Sequence, residues 1–163
     1  MRLPVSNLAM FLLGACTASA LGAHAGAPTT EPTAPASTRA ASPSPSAVVR
    51  ASEVQRRRSP AGTAVITPLL RGPHAFVSRL ELAAGATIPE HVDATDESIV
   101  VLEGSGTLTI DGEAHAIAAG SAVLMPGGAT VSYVNGAAPM TVIQVFSPPG
   151  PERKYDAWAP VDD

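Results

Sequence analysis

From Ala61 onward the chain breaks into short runs of β-forming residues, each closed by Gly, Pro, Asp or Asn. Eight runs stand out: Ala64–Thr67, His74–Leu82, Ser98–Leu102, Gly106–Ile110, Glu113–Ile117, Ser121–Met125, Thr130–Val134 and Met140–Phe146. Runs this short, at this spacing, predict an antiparallel sandwich or barrel. The sharpest local signal is Asp111-Gly112 between two such runs. Glycine accepts the positive φ of a type I′ turn, so this dipeptide predicts a hairpin. Along His74–Leu82 the alternation puts Phe76, Leu80 and Leu82 on one face and Val77, Arg79 and Glu81 on the other. No segment carries a sustained helical period with caps, although the C-terminal stretch has room for a short helix.

The residues available for a core are aliphatic, because the whole chain has three Phe, two Tyr and one Trp. Residues 17–46 are almost entirely Ala, Pro, Ser, Thr and Gly. Such a stretch cannot bury enough apolar surface to offset its chain entropy. Residues 21–60 are therefore expected to form a disordered linker, with the barrel at 61–147 and a C-terminal tail at 148–163. The basic run Arg56-Arg57-Arg58 is expected to be a solvated segment just before the domain. A formal net charge of −4 excludes nucleic acid as the main partner, since phosphate binding needs a dense basic surface.

Upstream, Arg2 precedes the apolar run Leu8–Leu13, which is too short to span a bilayer. Residues 1–20 are read as an export signal. The tetrapeptide Leu13-Gly14-Ala15-Cys16 resembles the lipobox of bacterial lipoproteins. That resemblance implies lipidation of Cys16 and a tethered protein in the cell envelope or periplasm. The rival reading is secretory cleavage after Ala18-Ser19-Ala20. Either way the domain is exported, and it meets a membrane only through a lipid anchor. Cys16 is the single cysteine, so neither an internal disulfide nor a multi-cysteine zinc site can form.

The chemistry concentrates in one stretch. Gly85 is followed after five residues by His91-Val92-Asp93, then by Glu97, then after six residues by Gly104. Farther on, Gly120, Pro126, Gly128 and Asn135 fall at fixed intervals. Both patterns resemble the two motifs of the cupin superfamily, in register over roughly residues 61–146. The resemblance implies an all-β, antiparallel jelly-roll barrel, in keeping with the strand pattern. It also implies a site of three His and one Glu. His91 and Glu97 match that set, while Asp93 and Val131 stand where the family has its other two His.

On a strand, His91 and Asp93 would point to the same face, and Glu97 could reach back across a short turn. An imidazole with two carboxylates is a plausible site for a divalent cation. This oxygen-rich set suits manganese, iron(II) or zinc better than copper. The other reading is a metal-free barrel in which the three form a hydrogen-bonded polar cluster against a ligand. His74 and His115 are expected on outer faces or strand ends, and Glu90 is expected to be exposed. Gln144, polar in an apolar strand, is the best further ligand contact if it points inward, beside Val131. Tyr155 and Trp158 are expected to pack back on the barrel as a cap or against a second subunit.

Three functions follow as expectations. The first is an extracytoplasmic module binding a small molecule. The second is a metal-dependent enzyme of the dioxygenase, isomerase or decarboxylase type, which the cupin resemblance admits without choosing a reaction. The third is a structural surface protein. The resemblance also implies a homodimer.

Overall fold

The computed structural model describes residues 46–161. The export segment with Cys16, and most of the linker, lie outside the described residues. Among those that are described, no helix is long and apolar enough to cross a membrane.

The elements run in order: a 3-10 turn at Ala51–Glu53, β1 Arg57–Arg58, β2 Ala64–Arg71, β3 Phe76–Leu82, β4 Thr87–Val92, β5 Asp96–Glu103, β6 Ser105–Ile110, β7 Glu113–Ala118, β8 Ala122–Met125, β9 Thr130–Asn135, β10 Met140–Ser147, a 3-10 helix at Pro151–Ala157, and β11 Ala159–Pro160. They form two antiparallel sheets. One has the order β11-β1-β2-β3-β10-β5-β8 and the other β4-β9-β6-β7. This is the antiparallel all-β barrel that the strand pattern predicts, with the jelly-roll form that the resemblance implies.

Alternation builds the core. Phe76, Ser78, Leu80 and Leu82 of β3 are buried, while the residues between them are half-exposed. Met140, Val142, Gln144 and Phe146 of β10 are buried alongside them, with Ile143 and Val145 half-exposed and Thr141 also buried. Val131 and Tyr133 of β9, Leu108 of β6 and Ile117 of β7 supply the apolar side chains of the second sheet. Each such side chain contributes about 1.5–3 kcal/mol when fully buried. The aliphatic composition thus suffices, with Phe76 and Phe146 stacked at 6.5 Å as an aromatic contact within it.

The β6–β7 hairpin turns at Asp111 and Gly112, with φ of 49° and 84°, as a type I′ turn requires. Gly106 is needed for a different reason. A Cβ there would run into the Tyr133 hydroxyl and the Val134 carbonyl of the neighbouring strand.

Three departures from the sequence reading bear on the site. First, β4 is a strand the local pattern does not announce. It is the edge of its sheet and contains Pro89, which has no N–H to give a partner. Its register with β9 slips between Ile88 and His91, so Ile88 and His91 both turn inward although they are three apart.

Second, the folded part reaches into the stretch assigned to the linker. β1 pairs with β2 through Arg57–Ile66 and with β11 through Arg57–Pro160. The arginine run is not a free solvated segment. Arg56 pairs with Glu81 at 3.1 Å, and Arg57 Nη1 donates to the carbonyls of Asp156 and Trp158. A guanidinium has enough donors to satisfy carbonyls left open at the end of the 3-10 helix.

Third, residues 151–160 are built into the domain. Tyr155 is 5% exposed and packs in the core cluster, with Trp158 edge-on to it at 4.8 Å. The capping role expected for both aromatics is what the structure shows. Buried Glu152 is paired with Arg71 at the end of β2, which fixes this segment against the sheet.

Candidate metal centre and cavity

The two sheets enclose a cavity of about 620 Å³ lined largely by apolar side chains, among them Leu80, Leu82, Ile99, Leu108, Met125 and Val142. Ser59, Pro60 and Ala61, just after β1, also line it, and so does Trp158. Its volume lies within the range of small-molecule pockets.

His91, Asp93 and Glu97 meet on its wall. One ligand atom from each lies within 4.8 Å of the others. His91 comes from the end of β4, Asp93 from the turn that follows, and Glu97 from the start of β5. That turn is braced from the β8–β9 connection. The Gly127 amide donates to Asp96 Oδ1 at 2.9 Å, and the Gly128 amide donates to the Asp93 carbonyl at 2.8 Å. The Pro126-x-Gly128 signature therefore holds the ligand-bearing turn in place. Asn135 acts similarly at the other end, donating to the Ala83 and Ala138 carbonyls.

His91 Nδ1 lies 2.9 Å from the Pro89 carbonyl. A carbonyl only accepts, so Nδ1 carries the proton and Nε2 keeps its lone pair in the neutral ring. Nε2 lies 3.8 Å from Asp93 Oδ2. This is the tautomer a metal-binding histidine needs, fixed by its outer hydrogen bond.

Glu97 is 8% exposed, and burial holds its carboxyl above the usual carboxylate range. The Gln144 amide, Lys154 and His91 oppose that shift, while Asp93 adds to it. Gln144 is inward-facing and 3% exposed. Its Oε1 accepts from Ser78 Oγ at 3.1 Å and from the Tyr155 hydroxyl at 3.0 Å. Two hydroxyl donors on one oxygen fix the amide, so Nε2 points at Glu97 Oε1, 2.6 Å away. Burial, then the nearby Glu97 charge, pushes the Tyr155 phenol far up, so it remains a donor.

Val131 is 4% exposed, faces the cavity and stands directly opposite His91 in the β4–β9 register. It contributes apolar wall where a histidine would have contributed nitrogen. Neither His74 nor His115 joins the cluster, and Glu90 is exposed at the rim.

Lys154 is the participant that sequence reasoning missed. Its Nζ donates to Asp93 Oδ2 at 2.8 Å and lies 5.1 Å from the Phe146 ring centre. No local pattern links it to Asp93. Only the docking of the C-terminal 3-10 helix brings them together.

The donor set fits a divalent cation. It offers one imidazole nitrogen with its lone pair available and two carboxylates, one of them buried and in need of positive charge. Fold and site together define a jelly-roll barrel with a three-ligand pocket on its inner wall.

Residues 78–146 match the family model described as a cupin domain. That match, together with the fold of the barrel, supports the cupin superfamily for this domain. Its fold is similar to that of KdgF from Halomonas sp., with a TM-score of 0.62 and 18% identity, covering 67% of this chain and 99% of that one. It is also similar to the polyketide cyclase RemF from Streptomyces resistomycificus, with TM-score 0.57 and 20% identity over 72% and 87% of the two chains. A predicted oxalate decarboxylase from Thermotoga maritima gives TM-score 0.56 and 23% identity over 62% and 98%. No match was found among curated protein sequences. At these identities the likeness is one of fold, and it selects no reaction.

Proposed function

We propose that the barrel holds a divalent cation on His91, Asp93 and Glu97 and binds a small molecule in the apolar cavity beside it. The observation that carries this reading is the convergence of the three ligand atoms within 4.8 Å on the cavity wall. A protein-only set of three leaves coordination positions open toward the cavity, where a ligand's oxygen atoms would complete the shell. Manganese, iron(II) and zinc suit the donors.

Metal analysis of the purified protein tests it. Stoichiometric metal that is lost in His91→Ala supports the site. Metal-free protein, with no uptake from added manganese, iron(II) or zinc, overturns it.

Open coordination positions also favour a second reading, a metal-dependent enzyme. The cation would then act as a Lewis acid or oxygen-activating centre. The neighbours in fold that carry decarboxylase and cyclase descriptions widen the set of reactions to assay. Turnover by metal-loaded protein, absent in His91→Ala, separates catalysis from binding.

Export to the cell envelope completes the proposal. It rests on Arg2, the apolar run and Leu13-Gly14-Ala15-Cys16. Mass spectrometry of the mature N-terminus tests it. A diacylglyceryl group on Cys16 supports tethering, and an unmodified N-terminus near Ala20 supports free secretion.

A further inference from the structure

The charges around the cavity do not cancel once a divalent cation is in place. Asp93 and Glu97 are two carboxylates, and a divalent cation neutralises both. His91 enters as the neutral ring, because a cation on Nε2 takes the place of any proton there while Nδ1 keeps its bond to the Pro89 carbonyl. Glu152 is already matched by Arg71. Glu90 is exposed at the rim and stands outside the ligand cluster, whereas Lys154, also exposed, touches it directly. What remains is the ammonium of Lys154, which lines the same cavity.

In the metal-free protein that ammonium is needed at Asp93, 2.8 Å away. A cation on Asp93 would take over that role and repel the lysine. The Lys154 side chain is 39% exposed, so it is free to swing aside on its long stem. Already beside its nitrogen, while it is bonded to Asp93, are the Phe146 and Tyr155 rings, 5.1 and 5.6 Å to their centres, and the open cavity. Beyond this polar end the lining is aliphatic.

We infer that the cavity takes a monoanionic ligand with an apolar body, its negative head held between the metal and Lys154. This rests on the metal reading proposed above. A single carboxylate supplies both what the charge count lacks and the oxygen donors that open coordination positions accept. A neutral alcohol of equal length supplies only the apolar part. A dianion would reverse the imbalance. Lys154 is thus a ligand-selecting residue contributed by the C-terminal segment.

The test uses the intact protein with zinc, octanoate and octan-1-ol as probes. Zinc binding is measured first by calorimetry. The two probes are then titrated while the fluorescence of Trp158 is followed, since it is the chain's single tryptophan and lines the cavity. Octanoate is expected to bind the zinc-loaded protein at least about tenfold more tightly than octan-1-ol. K154Q is expected to erase that preference by weakening octanoate alone, and K154R to retain it. If zinc fails to bind, and manganese and iron(II) tried in its place fail too, the metal reading falls and this inference with it. If zinc binds but the probes bind equally, or neither binds, or K154Q keeps the preference, the ligand assignment alone is overturned.

Discussion

Gln144 and Glu97 share a short buried contact, 2.6 Å from Gln144 Nε2 to Glu97 Oε1. The glutamine is held in that orientation by Ser78 of β3 and Tyr155 of the C-terminal 3-10 helix. Replacing it by leucine leaves Glu97, Ser78 Oγ and the Tyr155 hydroxyl without their partner. Gln144→Leu should destabilise the protein by about 1–3 kcal/mol at neutral pH. Urea unfolding measures this, and an unchanged midpoint would contradict the network described here.

Glu97 also sets a pH dependence. Burial raises its folded value above the ordinary 4.5, so the folded state keeps the proton longer than the unfolded chain does. Its protonated form favours folding below the unfolded value, and that advantage is lost as pH rises through the raised folded value. Glu97→Gln stays neutral throughout and escapes this loss. Metal-free Glu97→Gln should therefore gain stability over the wild type on going from about pH 4 to about pH 8. A gap between the two proteins that is flat with pH, in denaturation midpoints, would refute the burial argument.

Val131 faces His91 across the β4–β9 pair, buried and pointing into the cavity. A histidine there adds a nitrogen ligand to the proposed set of three. Val131→His should tighten zinc binding by about tenfold or more. In the metal-free state the buried imidazole should cost about 1–3 kcal/mol of stability. Calorimetry with zinc reads the first effect and unfolding reads the second. Unaltered zinc affinity would show that position 131 does not address the same point in space.

Tyr155 joins the C-terminal 3-10 helix to the interior by packing and by its bond to Gln144. Tyr155→Phe removes only the hydroxyl and should cost about 1 kcal/mol. Tyr155→Ala removes the anchor as well and should cost about 3–5 kcal/mol. Limited proteolysis provides a second readout. Cleavage within residues 151–157 should accelerate in Tyr155→Ala and not in Tyr155→Phe.

The sequence made the barrel legible because its information there is local. Alternation in β3 and β10, and the Asp111-Gly112 turn, each follow from neighbouring residues. The ligand trio was legible for the same reason, since His91, Asp93 and Glu97 fall within seven positions of one another. β4 was hidden because Pro89 and the slipped register break the period that marks a strand. β1 and β11 were hidden because two-residue strands have no period, and only pairing with distant strands, β1 with β2 and β11 with β1, defines them. Lys154 lies 61 positions from Asp93, and nothing short-range couples a residue in a proline-rich tail to a turn in the barrel. The inward side of Gln144 was left open by its own strand and decided by long-range partners.

The match to the family ends at Phe146, whereas the chain goes on to complete its own chamber with Tyr155 and Trp158. β1 and β2 likewise lie ahead of the matched residues. A recombinant fragment trimmed to 78–146 would be a vessel with two staves and its stopper missing. Its affinities would describe an open bowl, and they should not be transferred to the intact molecule.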